Sequence, residues 1–200
     1  MARRRATADP AYSVLAIGAS WGGVEALSRF VATLPPTWTL PVVIVQHQHA
    51  TSGTALERIL SRQTVLEVID VNDKQLIESG KIYIAPANYH LLVENDKSFS
   101  LSTDPAVNFS RPSIDVTFGS LVDVYAGKCI GVLLTGANED GVEGMKRIHE
   151  CGGFTIAQNP DEAEVPTMPA AAIAAGVVDR IACLNEIVPI IIKQLSDGKE

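Results

Sequence analysis

The stretch from Val14 to Gly23 constrains the fold of this chain more than any other part of the sequence. An apolar run of strand length ends at Gly18, and Ser20 and two further glycines follow before a helical pattern begins at Val24. A sharp turn from a strand into a helix needs backbone torsions that residues with a Cβ adopt poorly, which explains the glycines. Such a turn raises the serine above the edge of a sheet, beside the free N–H groups of a helix start.

The pattern Gly18-x-Ser20-x-Gly22 matches the nucleophile elbow, in which a serine attacks a carbonyl carbon. Strand, glycine turn and helix also occur in loops that cradle phosphates and in plain tight turns. The lysine of a P-loop is absent after Gly23, and no acidic ribose partner is obvious on the next strand. These absences disfavour a nucleotide site, but the turn alone leaves a nucleophilic serine, a phosphate loop and a structural turn open.

Apolar runs alternate with helical patterns along the chain, which predicts an α/β fold. We expect a doubly wound, mainly parallel sheet with helices on both faces and an antiparallel hairpin beside it. The parallel strands are expected at 13–17, 41–45, 65–71, 81–85, 128–134, 154–157 and 177–181, and the hairpin at 90–94 and 99–102. Helices are expected at 22–34, 53–61, 113–125, 141–150, 168–175 and 186–194, the last with Pro189 in its first turn. The run 128–134 is the most hydrophobic and is expected at the centre of the sheet.

Composition excludes several classes of function. Hydrophobic residues make up 46% of the 200 residues and charged residues 20%, a globular balance that can bury one core. The net charge of −7 disfavours nucleic-acid binding. No apolar run approaches the ~20 residues of a membrane span, so membrane insertion is not expected.

The termini and the cysteines bear on organisation and location. We expect residues 1–12, which include three consecutive arginines, to be a flexible leader, and residues 13–200 to form one domain. No apolar stretch directly follows the arginines, so the leader does not read as a secretory signal. The three cysteines are far apart and form no C-x-x-C pair, which predicts reduced thiols in a cytoplasmic protein.

Three polar side chains, Ser20, His47 and Asp140, fall at the ends of predicted strands. Because sites in open parallel sheets form outside the carboxyl ends of the strands, we expect these three to lie on the same side. Serine, histidine and aspartate are the parts of an acyl-transfer triad: the imidazole takes the serine proton and the carboxylate orients the imidazole. Their order along the chain differs from that in α/β-hydrolases, chymotrypsin and subtilisin, so a triad here would have another topology.

Each of these residues also has an ordinary structural interpretation. His47 could be held by a loop carbonyl. It could also pair with His49 as a metal ligand, although no cysteine or carboxylate ligand at a familiar spacing accompanies the two. Asp140 could cap the helix that follows it, and Glu139 or Asp123 could supply the orienting carboxylate instead.

Several further segments carry a family resemblance when they are taken in order. They are 17–23, 45–47, 82–86 with 90–93, 111–115, 133–136 with 140–141, and 157–158 with 168–169 and 174–179. Together they resemble the catalytic domain of CheB, the chemotaxis protein-glutamate methylesterase, from about residue 13 to residue 195.

The resemblance implies a doubly wound α/β domain and a hydrolase. It would remove methyl groups from γ-glutamyl methyl esters on the cytoplasmic helices of chemoreceptors, giving methanol and glutamate, and many members also deamidate receptor glutamines. By motif, Ser20 would be the nucleophile, His47 the base and Asp140 the orienting acid. Backbone N–H groups of Trp21 and Ala137 would hold the oxyanion. No metal or organic cofactor is implied, and the implied partner is a chemoreceptor helical bundle or a related signalling protein.

The chain departs from the family pattern at a few positions. Trp21 stands where the family usually has a small residue, and its ring could narrow the mouth of the site. Arg111 is a candidate substrate contact, with a purely structural hydrogen-bonding role as the alternative. CheB proteins usually carry an amino-terminal receiver domain of ~100 residues, and the predicted leader is too short for one. The alternative function is a non-catalytic or differently specific CheB-like module that binds a signalling protein.

Overall fold

The structure, a computed structural model, describes residues 11–49 and 51–197. Within these residues one parallel sheet has the strand order β3-β4-β2-β1-β7-β8-β9, and β5 and β6 form a separate antiparallel pair. The strands are β1 (Val14–Ala19), β2 (Val42–Gln46), β3 (Val68–Asp70), β4 (Ile82–Ile84), β5 (His90–Val93), β6 (Phe99–Ser102), β7 (Cys129–Leu133), β8 (Phe154–Gln158) and β9 (Arg180–Ala182). The predicted α/β architecture is confirmed.

Helices cover both faces of the sheet. They are α1 (Gly23–Ala32), α2 (Ala55–Leu60), α3 (Ile114–Tyr125), α4 (Val142–Glu150), α5 (Thr167–Ala174) and α6 (Leu184–Asp197). Apolar side chains of α1, α2 and α6 form one core with one side of the sheet, and those of α3, α4 and α5 form a second core with the other side. Along β1 successive side chains alternate between the two cores, which is why parallel strands read as unbroken apolar runs.

Two predictions about individual elements are wrong. The strand β7 lies beside the central strand, which is β1. The prediction failed because hydrophobicity indicates that a strand is buried on both faces but does not indicate its position within the sheet. The helix α6 begins at Leu184, so Pro189 lies inside the helix and not in its first turn. The chain continues as a helix there although proline cannot donate a backbone hydrogen bond.

The predicted leader falls almost entirely on residues 1–10, which lie outside the described residues. Its last residue, Tyr12, packs against the core formed with α1 and α6, and its hydroxyl accepts a hydrogen bond from Gln194 Nε2 at 3.0 Å. Across the described ranges, no helix is both long enough and apolar enough to span a bilayer.

The topology brings two loops together at one edge of the sheet. The strand β1 pairs with β2 on one side and with β7 on the other, in the registers Ala19↔Gln46 and Gly18↔Leu133. Strand order therefore reverses at β1. The loop after β1 leads to α1 on one face of the sheet, and the loop after β7 leads to α4 on the other face. This switch point is where open α/β sheets form their binding crevice.

The contact between α3 and α4 positions the far side of that crevice. Gly144 in α4 lies against Phe118 in α3, and a Cβ added at Gly144 would lie 2.5 Å from Phe118 Cβ. Neither atom can move without moving a helix backbone. The glycine is therefore a packing requirement, although glycine weakens a helix interior.

We expect Gly144→Ala to destabilise the domain by about 1–3 kcal/mol, because the overlap separates α3 from α4. Urea denaturation followed by circular dichroism measures the change. The matched control is Lys146→Ala on the same helix, where the side chain is 47% exposed and the change should stay within about 0.5 kcal/mol. A Gly144→Ala protein that gained the ~1 kcal/mol of alanine's helix propensity would contradict this packing account.

Candidate active site

Two glycines shape the turn that carries Ser20, each for a different reason. Gly22 precedes α1 with a φ of +77°, a left-handed conformation that favours glycine. Gly18 is required by packing, because a Cβ there would lie 2.6 Å from a side-chain carbon of Ile114. The N–H of Ser20 donates to the carbonyl of Thr135 at 3.0 Å, which ties the turn to the loop after β7.

His47 follows β2 directly, and Gln46 fixes its position relative to the serine turn. The N–H of His47 donates to the carbonyl of Ala19 at 3.1 Å. The buried side chain of Gln46 donates through Nε2 to the carbonyls of Ser20, at 2.8 Å, and of His47, at 2.9 Å. One amide nitrogen therefore joins the two turns, a role that sequence reasoning missed.

The three side chains predicted to act together lie in hydrogen-bond contact. His47 Nδ1 is 3.1 Å from Ser20 Oγ, and His47 Nε2 is 2.8 Å from Asp140 Oδ2. The Asp140 side chain is fully buried and that of His47 is 13% exposed. The imidazole is turned around relative to the chymotrypsin arrangement, in which Nε2 faces the serine.

The carboxylate of Asp140 accepts four hydrogen bonds besides the one from His47. Three come from the segment 111–115 and one from the loop before it. The donors are Ser113 Oγ at 2.8 Å, the N–H groups of Ile114 at 2.7 Å and Asp115 at 3.2 Å, and Asn108 Nδ2 at 3.1 Å. The segment that carried part of the family resemblance is thus the cradle of the orienting acid.

Opposing effects set the charge of Asp140. Burial by itself raises the pKa of this carboxyl, but the hydrogen bonds from His47, Ile114, Asn108 and Ser113 outweigh burial and hold the pKa below its ordinary value. Asp140 is therefore ionised and can only accept from the imidazole. The proton of a neutral His47 then resides on Nε2, which leaves Nδ1 free to take the proton of Ser20.

Asp115, a second carboxylate beside Asp140, performs the helix-capping role that the sequence left open for Asp140. Its Oδ1 accepts from the N–H groups of Gly141, at 2.9 Å, and Gly144, at 2.8 Å, at the start of α4. Burial and then the nearby charge of Asp140 raise the pKa of Asp115, although the two N–H donors act in the opposite direction. Glu139 is exposed, and Asp123 pairs with Arg147 away from the site, so neither orients His47.

The remaining predicted residues flank the triad. Trp21 and Ala137 have backbone N–H groups with no hydrogen-bond acceptor among the described residues, so both are available to an oxyanion. The Trp21 ring is 67% exposed, and its Nε1 donates to Glu164 at 3.2 Å. Their oxyanion role stays a prediction.

Arg111 is held by the protein itself. Its guanidinium donates to the carbonyls of Thr103, at 2.8 Å, and Asp104, at 3.1 Å, and to Asn88 Oδ1 at 2.7 Å. These contacts match the structural role that the sequence left open, while a substrate contact stays a prediction. His49 Nδ1 lies 2.9 Å from the Thr51 hydroxyl, and in the described parts of the chain no three metal-ligating side chains cluster.

Two open clefts of the described structure adjoin the Ser20–His47 pair, one at each residue. One, of about 630 Å³, is lined by His47, Phe109, Ser110 and Arg111 among others, and another, of about 440 Å³, is lined by Ser20, Gly22 and Glu164 among others. Sequence reasoning treated residues 104–110 only as a loop and so missed Asn108, Phe109 and Ser110, because no periodicity or motif marks them.

A serine, a histidine and a buried carboxylate in series have the arrangement of an acyl-transfer triad. Comparison with known proteins gives the family. Residues 15–191 match the family model for the CheB methylesterase. The chain belongs to the CheB methylesterase family, as the sequence resemblance predicted.

Two relatives and one solved structure show the extent of the similarity. A Leptospira interrogans protein, named provisionally as a protein-glutamate methylesterase/protein-glutamine glutaminase, is 46% identical over 91% of this chain and 94% of its own length. The Trichodesmium erythraeum protein-glutamate methylesterase/protein-glutamine glutaminase is 37% identical over 91% of this chain but only 53% of its own length. The catalytic domain of Thermotoga maritima CheB methylesterase superposes with a TM-score of 0.88 at 30% identity, covering 92% of this chain and 98% of that domain.

We expect Asp140→Asn to destabilise the fold by about 2–4 kcal/mol at pH 7, because the amide cannot accept from all the donors around it. The folded pKa of Asp140 lies below its ordinary value, so the ionised carboxylate stabilises the fold above about pH 4. That contribution is lost as the pH falls toward the folded pKa, and repulsion from Asp115 offsets part of it at pH 7. The stability gap between wild type and variant should therefore narrow from pH 7 to pH 3.

Urea denaturation at several pH values measures this gap. Glu143→Gln, which changes an exposed carboxylate near the start of α4, is the control and should alter stability little at pH 7. A gap of equal size at pH 7 and pH 3 would show that the charge of Asp140 does not stabilise the fold.

Proposed function

We propose that this chain is a serine methylesterase that hydrolyses γ-glutamyl methyl esters on chemoreceptor helices to glutamate and methanol. The observation that carries the proposal is the series of hydrogen bonds from Ser20 through His47 to the buried Asp140. The names of the relatives supply the substrate class. The proposed location is the cytoplasm, which agrees with the three free cysteines of the described chain.

The geometry supports the following sequence of steps. Ser20 Oγ attacks the ester carbon while His47 Nδ1 takes its proton, and Asp140 stabilises the imidazolium through Nε2–H. The bond between the carbon and the methoxy oxygen then breaks, and the imidazolium gives its proton to that oxygen, which releases methanol. Water attacks the acyl-enzyme with His47 as base, and glutamate and free Ser20 result.

Backbone groups at the start of α1 and in the loop after β7 would stabilise the oxyanion that forms during attack. The N–H groups of Trp21 and Ala137 are the donors we propose, since neither is used within the described structure. The positive end of the α1 dipole adds to them, since a helix start carries roughly half a unit charge. Hydrolysis of a glutamine amide uses the same steps with ammonia leaving in place of methanol, which fits the double activity in the relatives' names.

Ser20→Ala should lower the rate of methanol release from methylated receptor helices by several orders of magnitude, because the nucleophile is lost. Its fold should persist, since among the described residues the Ser20 hydroxyl has a hydrogen bond only with His47. Methanol release and thermal unfolding, measured side by side with the wild type, check both expectations. The control is Ser61→Ala, an exposed serine at the end of α2 and away from both clefts, which should keep wild-type activity.

The outcome also separates the proposed enzyme from a binding module. If Ser20→Ala releases methanol as fast as wild type, the proposed mechanism is wrong. If the wild-type protein releases none but binds receptor helices, the chain is a binding module or acts on another ester.

Phe109 is a proposed substrate contact at the cleft beside His47. Its side chain is fully exposed, and its φ of +60° is unfavourable for a bulky residue. A strained, exposed aromatic residue has no structural explanation within the folded chain. The strain is consistent with a side chain selected for what it touches outside the chain.

We expect Phe109→Asn to raise KM for the methylated helix about three- to tenfold with little change in kcat, because an apolar contact to the substrate is lost. Asparagine tolerates the left-handed conformation, so the variant should be as stable as wild type or up to about 1 kcal/mol more stable. Steady-state kinetics and urea denaturation check these expectations. The control is Val65→Asn, at an exposed apolar residue away from the clefts, and an unchanged KM in Phe109→Asn would exclude the contact.

A further inference from the structure

The turn 107–110 holds two consecutive residues in the left-handed conformation. Val107 and Ser110 exchange backbone hydrogen bonds at 3.2 and 2.8 Å, and between them Asn108 and Phe109 have φ values of +49° and +60°. Positive φ at both central residues is the signature of a type I′ turn, which favours asparagine first and glycine second. The turn directs the two side chains differently: Phe109 is fully exposed, while Asn108 reaches two carboxylates.

The amide of Asn108 bridges Asp115 and Asp140. Its Nδ2 is 2.8 Å from Asp115 Oδ2 and 3.1 Å from Asp140 Oδ1. An amide nitrogen carries two hydrogens, so one donor group can serve both carboxylates at once. The bridge places a partial positive charge between two like charges that would otherwise repel each other.

Other groups around these carboxylates do not replace the bridge. The charged or titratable neighbours that face Asp140 are Asp115 and His47, and Asp115 has its Oδ1 committed to the start of α4. The guanidinium of Arg111, next along the chain, is used by loop carbonyls and Asn88. His90 accepts from the N–H of Ser113 through Nδ1 and donates to the Pro105 carbonyl through Nε2.

The same turn also touches the imidazole. Ser110 Oγ lies 3.3 Å from His47 Nδ1, which is the same nitrogen that faces Ser20. The turn thus contacts the orienting acid through the side chain of Asn108 and the base through that of Ser110, two residues later. A loop outside the parallel sheet thereby contacts both Asp140 and His47.

We infer that Asn108 is a positioning residue for the reaction: its amide bridge keeps Asp140 ionised and aligned on His47 while Asp115 caps α4. The inference rests on the proposed role of Ser20 as the nucleophile. It predicts that loss of the bridge weakens the serine as a nucleophile without removing any group that touches the substrate.

The rate at which a fluorophosphonate labels Ser20, followed by intact-protein mass spectrometry from pH 5 to pH 9, tests this inference without a receptor substrate. Asn108→Gly keeps the left-handed turn and deletes only the amide. We expect its labelling rate at pH 7 to fall about ten- to a hundredfold, the range expected for one lost hydrogen bond to a charged group. The lower pH limit of labelling, the pH below which the rate falls, should rise by about one unit. The pKa of Asp115 is already raised to about 6 by burial, and loss of the Asn108 donor raises it further, so the carboxylate pair gains a proton within the measured pH range.

Asn108→Asp keeps the shape of the side chain and its tolerance of the turn, so this variant tests the positioning role if Asn108→Gly fails to fold. It should lose at least as much rate at pH 7, and its rate relative to wild type should recover as the pH falls and the introduced carboxyl gains a proton to donate. The control is Lys74→Gly, which makes the same type of substitution at a φ of +63° outside the site and should be labelled like wild type.

The outcomes separate this inference from the proposed function. A wild-type protein that is not labelled at Ser20 would overturn the proposed nucleophile. A labelled wild type together with Asn108 variants of equal rate and equal pH limit would overturn the positioning role alone. A slowed Asn108→Gly whose pH limit is unchanged would also overturn it, since a merely structural role predicts that result.

Discussion

Asp140 combines complete burial with a negative charge, and the structure around the site supplies the hydrogen bonds that a buried charge requires. A buried carboxylate costs several kcal/mol unless hydrogen bonds replace its lost hydration. Here the donors come from His47, from the start of α3 and from the turn 107–110, three segments that are distant in sequence. Each must be in place at the same time, so the requirement of one charge couples the sheet, the helix and the loop.

The direction of the hydrogen bonds explains how this arrangement can serve catalysis. An ionised Asp140 can only accept, which assigns the proton of His47 to Nε2 and leaves Nδ1 for Ser20. Gln46 joins the backbone carbonyls of Ser20 and His47, so the main chain of the histidine is fixed relative to the serine turn while Asp140 holds the ring. The groups that fix this order belong to the protein itself, which is what electrostatic preorganisation requires.

Much of the architecture follows from local sequence patterns. Apolar runs marked the strands because parallel strands are buried on both faces, and Ser20, His47 and Asp140 were recognisable because they stand where such runs end. The position of β7 beside the centre of the sheet could not be predicted, because the interior strands are all buried on both faces and apolar wherever they lie in the sheet. Pattern alone also could not tell which aspartate caps α4.

The polar contacts that support the site could not be predicted from the sequence, and the reason is physical. Three of these contacts, Gln46 with Ser20, Asn108 with Asp140 and Asp115 with Gly141, span 26 to 32 positions in sequence, so no local spacing encodes them. Residues 111–115 were recognised by resemblance, but their role as donors to Asp140 required the fold. The strained turn 107–110 carries no periodicity and reads from sequence as a plain loop.

The central claim is that an ionised Asp140 fixes the tautomer of His47. Nitrogen-15 NMR of histidine-labelled protein at pH 7.5 tests it most directly, with the His47 signals assigned by their absence in His47→Asn. We expect the proton on Nε2, as a low-field resonance that is lost in Asp140→Ala, and an unprotonated Nδ1. A proton on Nδ1, or equal populations of the two tautomers, would contradict the account.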